Sequence, residues 1–182
     1  MKKVIQLVIL SVLISVSAFS QEVNAIQKDP KTGNDMIVGE VTREGLMKLP
    51  SWSTDEYKFS DEYQLYSPDS ASISYLNENK SDLPYVFVVL GTWCGDSKDQ
   101  LPRFLKIADI IGYPAEKVFM VAVDRDKKGG SFCLADFEIT LVPTFIFTSK
   151  GEEIGRIIES PQTTLEQDLV NLMKVNRCTG LK

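Results

Sequence analysis

The segment Tyr85-Val86-Phe87-Val88-Val89-Leu90 constrains this chain most. A half-solvated strand alternates apolar with polar residues. Six apolar residues in a row, several β-branched or aromatic, make a strand covered on both faces. The following segments supply the cover. Ser97 to Ile111 places Leu101, Phe104, Leu105, Ala108 and Ile111 on one helical stripe, and Val118-Phe119-Met120-Val121-Ala122-Val123 repeats the buried-strand pattern. A short helix over Ser131 to Phe137 then leads to a third strand, Thr144-Phe145-Ile146-Phe147. Gly151 turns the chain into Glu153 to Ile158, whose alternation marks a hairpin partner at a sheet edge. Thr164 to Val175 closes the chain as an amphipathic helix, capped by Thr163 or Thr164 with Glu166 or Gln167 behind. From residue 85 the order is therefore β-α-β-α-β-β-α. Two βα crossovers imply a parallel core, and the hairpin adds antiparallel strands. The expected class is α/β, a mixed sheet with helices on both faces.

The upstream half is less regular. Lys2 and Lys3, the apolar run Val4 to Val16 and the small residues Ala18 and Ser20 have the layout of a secretory signal peptide, cleaved after Ser20. The apolar run is too short to cross a bilayer comfortably, which takes about 20 residues, so an uncleaved N-terminal anchor is the lesser alternative. Residues 21–36 are polar and read as a flexible lead-in, with a docked arm as the lesser alternative. Ile37 to Val41 reads as a strand, and Arg43 to Leu49 as a helical turn or two ended by Pro50. Tyr57 to Tyr66 reads as edge strand or loop. Pro68-Asp69-Ser70 looks like a helix start, with Ile73 and Leu76 inward and Asn79 near the end. The expected division is signal peptide 1–20, extension 21–69 and main domain 70–182.

Composition narrows the chemistry. The 20 basic residues face 25 acidic ones, a net charge of −5. Loss of Lys2 and Lys3 with the leader would deepen it. That balance, with no basic cluster, argues against nucleic acid and anionic membranes as partners. The chain has no His, which removes Ser/His and Cys/His catalytic pairs and most zinc sites. No cofactor or metal is expected. The three cysteines, Cys94, Cys133 and Cys178, cannot all pair within one chain.

The chemical candidate is Thr92-Trp93-Cys94-Gly95-Asp96-Ser97, between the carboxyl end of the first buried strand and the next helix. Open α/β sheets put their sites there. A thiol at a helix N-terminus faces the positive end of the macrodipole and unpaired N–H groups, and both favour thiolate. Lys98 would add to this, whereas Asp96 opposes it. Asp124-Arg125-Asp126 follows the second strand on the same sheet edge. It reads as a solvated loop, or as Arg125 reaching the Cys94 sulfur or a substrate carboxylate.

Over about residues 85–176 the chain resembles the thioredoxin-like superfamily. Trp93-Cys94-Gly95 is similar to the start of its W-C-G-x-C site, and Pro102 to its helix-kinking proline. Val142-Pro143-Thr144 is similar to its cis-proline loop, which faces the active-site Cys and holds substrate peptide through the backbone. Gly151 and the helix after it also match. The resemblance implies a thioredoxin fold with an N-terminal extension, with Cys94, Ser97 and Trp93 as catalytic positions. The substrate-binding positions would be Val142, Pro143, Thr144, Gly95, Asp96 and Arg125. Two departures stand out: Ser97 occupies the place of the resolving Cys, and Val88 that of a buried Asp serving it.

A thiolate opens a disulfide by forming a mixed disulfide. Ser97 cannot resolve one, because an alcohol is too weak an acid and nucleophile; it can only hydrogen-bond the Cys94 sulfur. Resolution would fall to an outside thiol, or to Cys133 if close. Cys133, beside Phe132 and Leu134 with Phe137 four residues on, reads instead as a thiol on an inward helix face. Cys178 reads as a bystander in a polar tail. The leading expectation is a monothiol disulfide exchanger of the periplasm or exterior of a bacterial cell, acting on protein or small-molecule thiols and disulfides. The alternative is a redox-inactive module that binds an extended peptide beside Trp93 and Pro143.

Overall fold

A computed structural model of the chain describes residues 22–54 and 59–179; the expected signal peptide lies outside the described residues. The elements in order are β1 (Ile26–Lys28), β2 (Asp35–Ile37), β3 (Gly39–Glu40), α1 (Arg43–Lys48), α2 (Phe59–Leu65), α3 (Ser70–Glu78) and β4 (Tyr85–Leu90). There follow α4 (Gly95–Ile111), β5 (Val118–Ala122), β6 (Thr144–Ser149), β7 (Glu152–Ile158) and α5 (Leu165–Thr179). The apolar run 85–90 is the central strand of a five-stranded sheet ordered β3-β5-β4-β6-β7.

The sheet is mixed, with one parallel pair. β4 and β5 run parallel, with Val88 opposite Met120, joined by the crossover through α4. β6 runs antiparallel to β4, with Val88 opposite Phe145, so the second parallel crossover does not occur. The cause lies in residues 131–137. In place of a helix there is a 3-10 turn, Ala135–Phe137. Phe132 turns in against Phe119, Cys133 turns out and Leu134 is buried, which is not a helical stripe. The chain therefore stays at the sheet end where β5 finishes and re-enters in the opposite sense. Cys133 is accordingly exposed, not on an inward face.

The described α-helices pack on one sheet face, and on the other the helix expected from the sequence is reduced to the 3-10 turn. Leu46, Phe59, Leu76, Phe104 and Met173 share a core with Val86, Val88, Leu90, Phe145 and Phe147. The other face holds a smaller cluster, Val89, Val121, Val123, Leu134 and Val142, covered by the loop that carries the 3-10 turn. Local signals set the helix ends. Asp69 caps α3 by accepting from Ser72 N, Thr164 accepts from Gln167 N at the start of α5, and Gly112 ends α4 at φ +58°, the left-handed region glycine tolerates.

Upstream of residue 70 the structure differs from expectation in two places. Residues 26–37 form the antiparallel β1–β2 hairpin, a docked arm rather than a flexible lead-in. Residues 59–65 are helical, not strand or loop. Phe59 and Tyr63 lie one helical turn apart and stack at 6.2 Å, and Phe59 also meets Trp52 at 6.3 Å. Ile37, Val41, Leu46, Leu49, Trp52 and Phe59 all belong to the main core.

Candidate functional site around Cys94

The site forms where β4 hands over to α4. Cys94 is the N-cap residue of α4 with extended backbone (φ −94°, ψ 131°); its N–H donates to Gly91 O at 2.9 Å. A Cβ at Gly91 would stand 2.9 Å from the Trp93 ring, so glycine there lets the indole fold back over the turn. The thiol does not cap its own helix. It donates to Val142 O at 3.1 Å and lies 4.0 Å from Asp96 Oδ2. Cys94 is half-buried, and Gly95 and Asp96 are exposed. The Val142–Pro143 peptide is cis. Pro143 O accepts from Glu159 N at 2.7 Å, which anchors the loop facing Cys94 to the end of β7.

The remaining sequence-derived positions behave differently. Ser97 is fully buried and its Oγ accepts from Gly91 N at 3.1 Å. The hydroxyl thus braces the strand–helix turn instead of bonding the Cys94 sulfur. Thr144 is buried, with its hydroxyl donating to Leu141 O at 2.7 Å; its side chain serves the loop. Lys98 donates to Ser51 O at 2.6 Å, and burial lowers its pKa. Its ammonium is thus tied to the upstream segment. Val88 is completely buried in the core.

Trp93 and Arg125 form the far wall. The Trp93 indole donates to Val123 O at 2.9 Å, and the Arg125 guanidinium lies 4.7 Å from the ring centroid. Lys127 Nζ stands 5.3 Å from the same ring. Arg125 does not place its fork on the sulfur, as the sequence allowed. Nε and Nη2 donate to the two carboxylate oxygens of Asp29, each at 2.7 Å. Asp29 sits buried in the β1–β2 turn, where it also accepts from Lys31 N and the Thr32 hydroxyl. The Arg125 hydrogen bonds, above all, hold its pKa far below the usual carboxylate range. The same bonds raise the Arg125 pKa, and negative charge on Cys94 adds to that rise.

Sequence reasoning missed two supporting residues, Asp29 and Trp52, and gave Thr92, within the candidate segment, no role. Trp52 Nε1 donates to Thr92 O at 2.8 Å, and Thr92 Oγ1 accepts from Ile37 N at 3.1 Å. Asp29-Pro30-Lys31-Thr32-Gly33-Asn34 is legible as a turn, but nothing local names Arg125 as its partner. Among the described residues no cluster of three or more Cys, Asp or Glu is arranged to hold a metal ion, and no helix is long and apolar enough to cross a membrane.

A thiol at a helix start, facing a proline loop across the end of a mixed sheet, defines a class of fold and site that known proteins share. The family model described as Thioredoxin matches residues 74–174, and the chain belongs to that family. The mitochondrial thioredoxin O of Oryza sativa subsp. japonica is 33% identical over 92 residues, which cover 50% of this chain and 51% of the rice protein. The chain thus spans about half the length of that relative. The mitochondrial thioredoxin-3 of Saccharomyces cerevisiae is 28% identical over 127 residues, covering 70% of this chain and 95% of the yeast protein. Among solved structures, Fasciola hepatica thioredoxin is 26% identical, covers 54% of this chain and 88% of its own, and has a TM-score of 0.38.

Proposed function

We propose that this protein is a thiol–disulfide exchanger that works with one thiol, Cys94. The observation that carries the reading is the Cys94 sulfur at the N-cap of α4, 3.1 Å from Val142 O, with Ser97 Oγ committed to Gly91 N. Cys94 loses its proton to solvent, and the thiolate attacks one sulfur of a substrate disulfide. A Cys94–substrate disulfide forms as the other sulfur leaves as thiolate. An external thiolate then attacks the substrate sulfur, forms a new disulfide with it and returns Cys94 as thiolate. The cycle exchanges partners with no net gain or loss of electrons, which suits isomerisation or removal of a small thiol adduct. The cis-proline loop meets the sulfur through Val142 O, and in this reading its backbone would hold an extended substrate chain once the thiol proton is lost.

Operation outside the cytoplasm, after removal of residues 1–20, is part of the proposal and rests on the charge and hydropathy pattern of that leader. Recovery of a protein beginning at Gln21 from an exported fraction would check it.

The mechanism is tested on the mixed disulfide. Cys94 linked to a model thiol should persist until free thiol is added, and its release rate should rise linearly with thiol concentration. Release at a fixed rate without added thiol would reveal an internal nucleophile and overturn the monothiol cycle; Cys133→Ser would identify it. Absence of any mixed disulfide, with retained binding of extended peptides, would establish the redox-inactive module instead.

A further inference from the structure

The carboxylate of Asp29 is the one buried acidic group beside the site that the exchange cycle does not use. It is 2% exposed, and it takes both oxygens to one partner, Arg125. A bidentate pair fixes a guanidinium in plane and direction, which a single contact or a lysine does not. Here the fixed guanidinium lies over Trp93, the residue next to Cys94. Two of its three nitrogens are used by Asp29, and among the described residues Nη1 has no hydrogen-bond partner. Lys127 brings a second cation to the same ring. The Asp124 carboxylate of this loop accepts from the backbone of Asp126 and Lys128, and Asp126 pairs with Lys128 at 3.7 Å. The charges here balance, Arg125, Lys127 and Lys128 against Asp29, Asp124 and Asp126, but the two groups laid against Trp93 are the cations Arg125 and Lys127, while Asp96 lies 4.0 Å from the sulfur.

We propose that Asp29 is a positioning residue that holds Arg125 against Trp93 so that its remaining N–H edge binds a carboxylate beside the disulfide attacked by Cys94. The preferred substrate class is then a disulfide flanked by carboxylates, an acidic peptide or an acidic small thiol adduct. The inference rests on the exchange reading above. It also assigns the hairpin of residues 26–37 a task, because without it Arg125 has no anchor.

The test uses the full chain carrying Cys133→Ser and Cys178→Ser, so that Cys94 is the only thiol. Its rate is measured with a dianionic aromatic disulfide, dithiobis(nitrobenzoate), and a neutral one, dithiodipyridine. The ratio of the two rates cancels changes in the thiolate fraction. Arg125→Gln is expected to lower the ratio about fivefold, the size of one close charge contact at a wet surface, and added salt should lower the wild-type ratio. Asp29→Asn is expected to lower it as well. The sign is informative, since removal of a negative charge alone would raise the rate with the anionic probe. Asp29→Asn combined with Arg125→Gln leaves no unpaired buried carboxylate and should match Arg125→Gln alone. An unchanged or raised ratio in Asp29→Asn overturns the positioning role, and an unchanged ratio in the double variant overturns the carboxylate site. Failure of wild-type Cys94 to react with either probe overturns the exchange reading instead, and this inference with it.

Discussion

The indole Nε1 of Trp52 donates to the carbonyl oxygen of Thr92 at 2.8 Å, across 40 residues of chain. Thr92 stands two residues before Cys94, and its hydroxyl is held in turn by Ile37 N. The loop bearing the thiol is thus secured from the upstream segment, by a side chain buried to 1% exposure.

Trp52→Phe should therefore cost about 2–4 kcal/mol of stability, from a buried carbonyl left without its donor and from lost packing. Denaturant unfolding at constant m-value would measure it. A loss under half a kcal/mol would mean that residues 37–52 are dispensable to the domain, against the place of Ile37, Val41, Leu46, Leu49 and Trp52 in its core.

Ser97→Cys should convert the site partly into a dithiol reductase, seen as a gain in reduction of insulin disulfides. The gain should be incomplete for two reasons. Val88 offers no proton carrier, and sulfur is a weak acceptor for the buried Gly91 N–H, with a stability cost of about 1 kcal/mol. No gain at all would show that the geometry around Cys94 does not support resolution.

Asp96→Asn should quicken alkylation of Cys94 at neutral pH by about two- to threefold, because it removes the carboxylate nearest the sulfur while the backbone donors of α4 remain. Slower or unchanged alkylation would show that Asp96 turns to solvent whenever the thiolate forms.

Acid should weaken the fold through Asp29. Its folded pKa lies below the ordinary value because of the Arg125 hydrogen bonds. The unfolded chain therefore takes up protons first as pH falls. The contribution is whole above about pH 4 and declines as pH drops toward the folded value. Wild type should exceed Asp29→Asn in unfolding free energy at neutral pH, and the gap should narrow progressively below about pH 4. A gap that stays constant down to about pH 2 would mean that Asp29 is not the group responsible.

Much of the architecture was legible because its causes are local. Six apolar residues at 85–90 allow only a strand covered on both sides, the stripe from Leu101 to Ile111 allows only a helix against it, and their junction puts Cys94 at a helix start. Asp69, Thr164 and Gly112 mark helix ends through bonds and dihedrals within a few residues of themselves. The helix at residues 59–65 escaped notice because aromatic residues favour strands as readily as helices, and only Trp52 and α4 opposite decide between them.

The sequence by itself determined that a thiol followed three residues on by Ser97, not by a second Cys, stands at a strand–helix turn in an acidic, histidine-free chain. Tertiary structure decided what surrounds that thiol. It ran β6 antiparallel, turned Cys133 outward, engaged Ser97 with Gly91, and joined Asp29 to Arg125 across 96 residues. The reason is physical: periodicity and capping act between residues a turn or two apart. The direction of a buried charge or hydroxyl depends on which distant group the packed sheet brings opposite it.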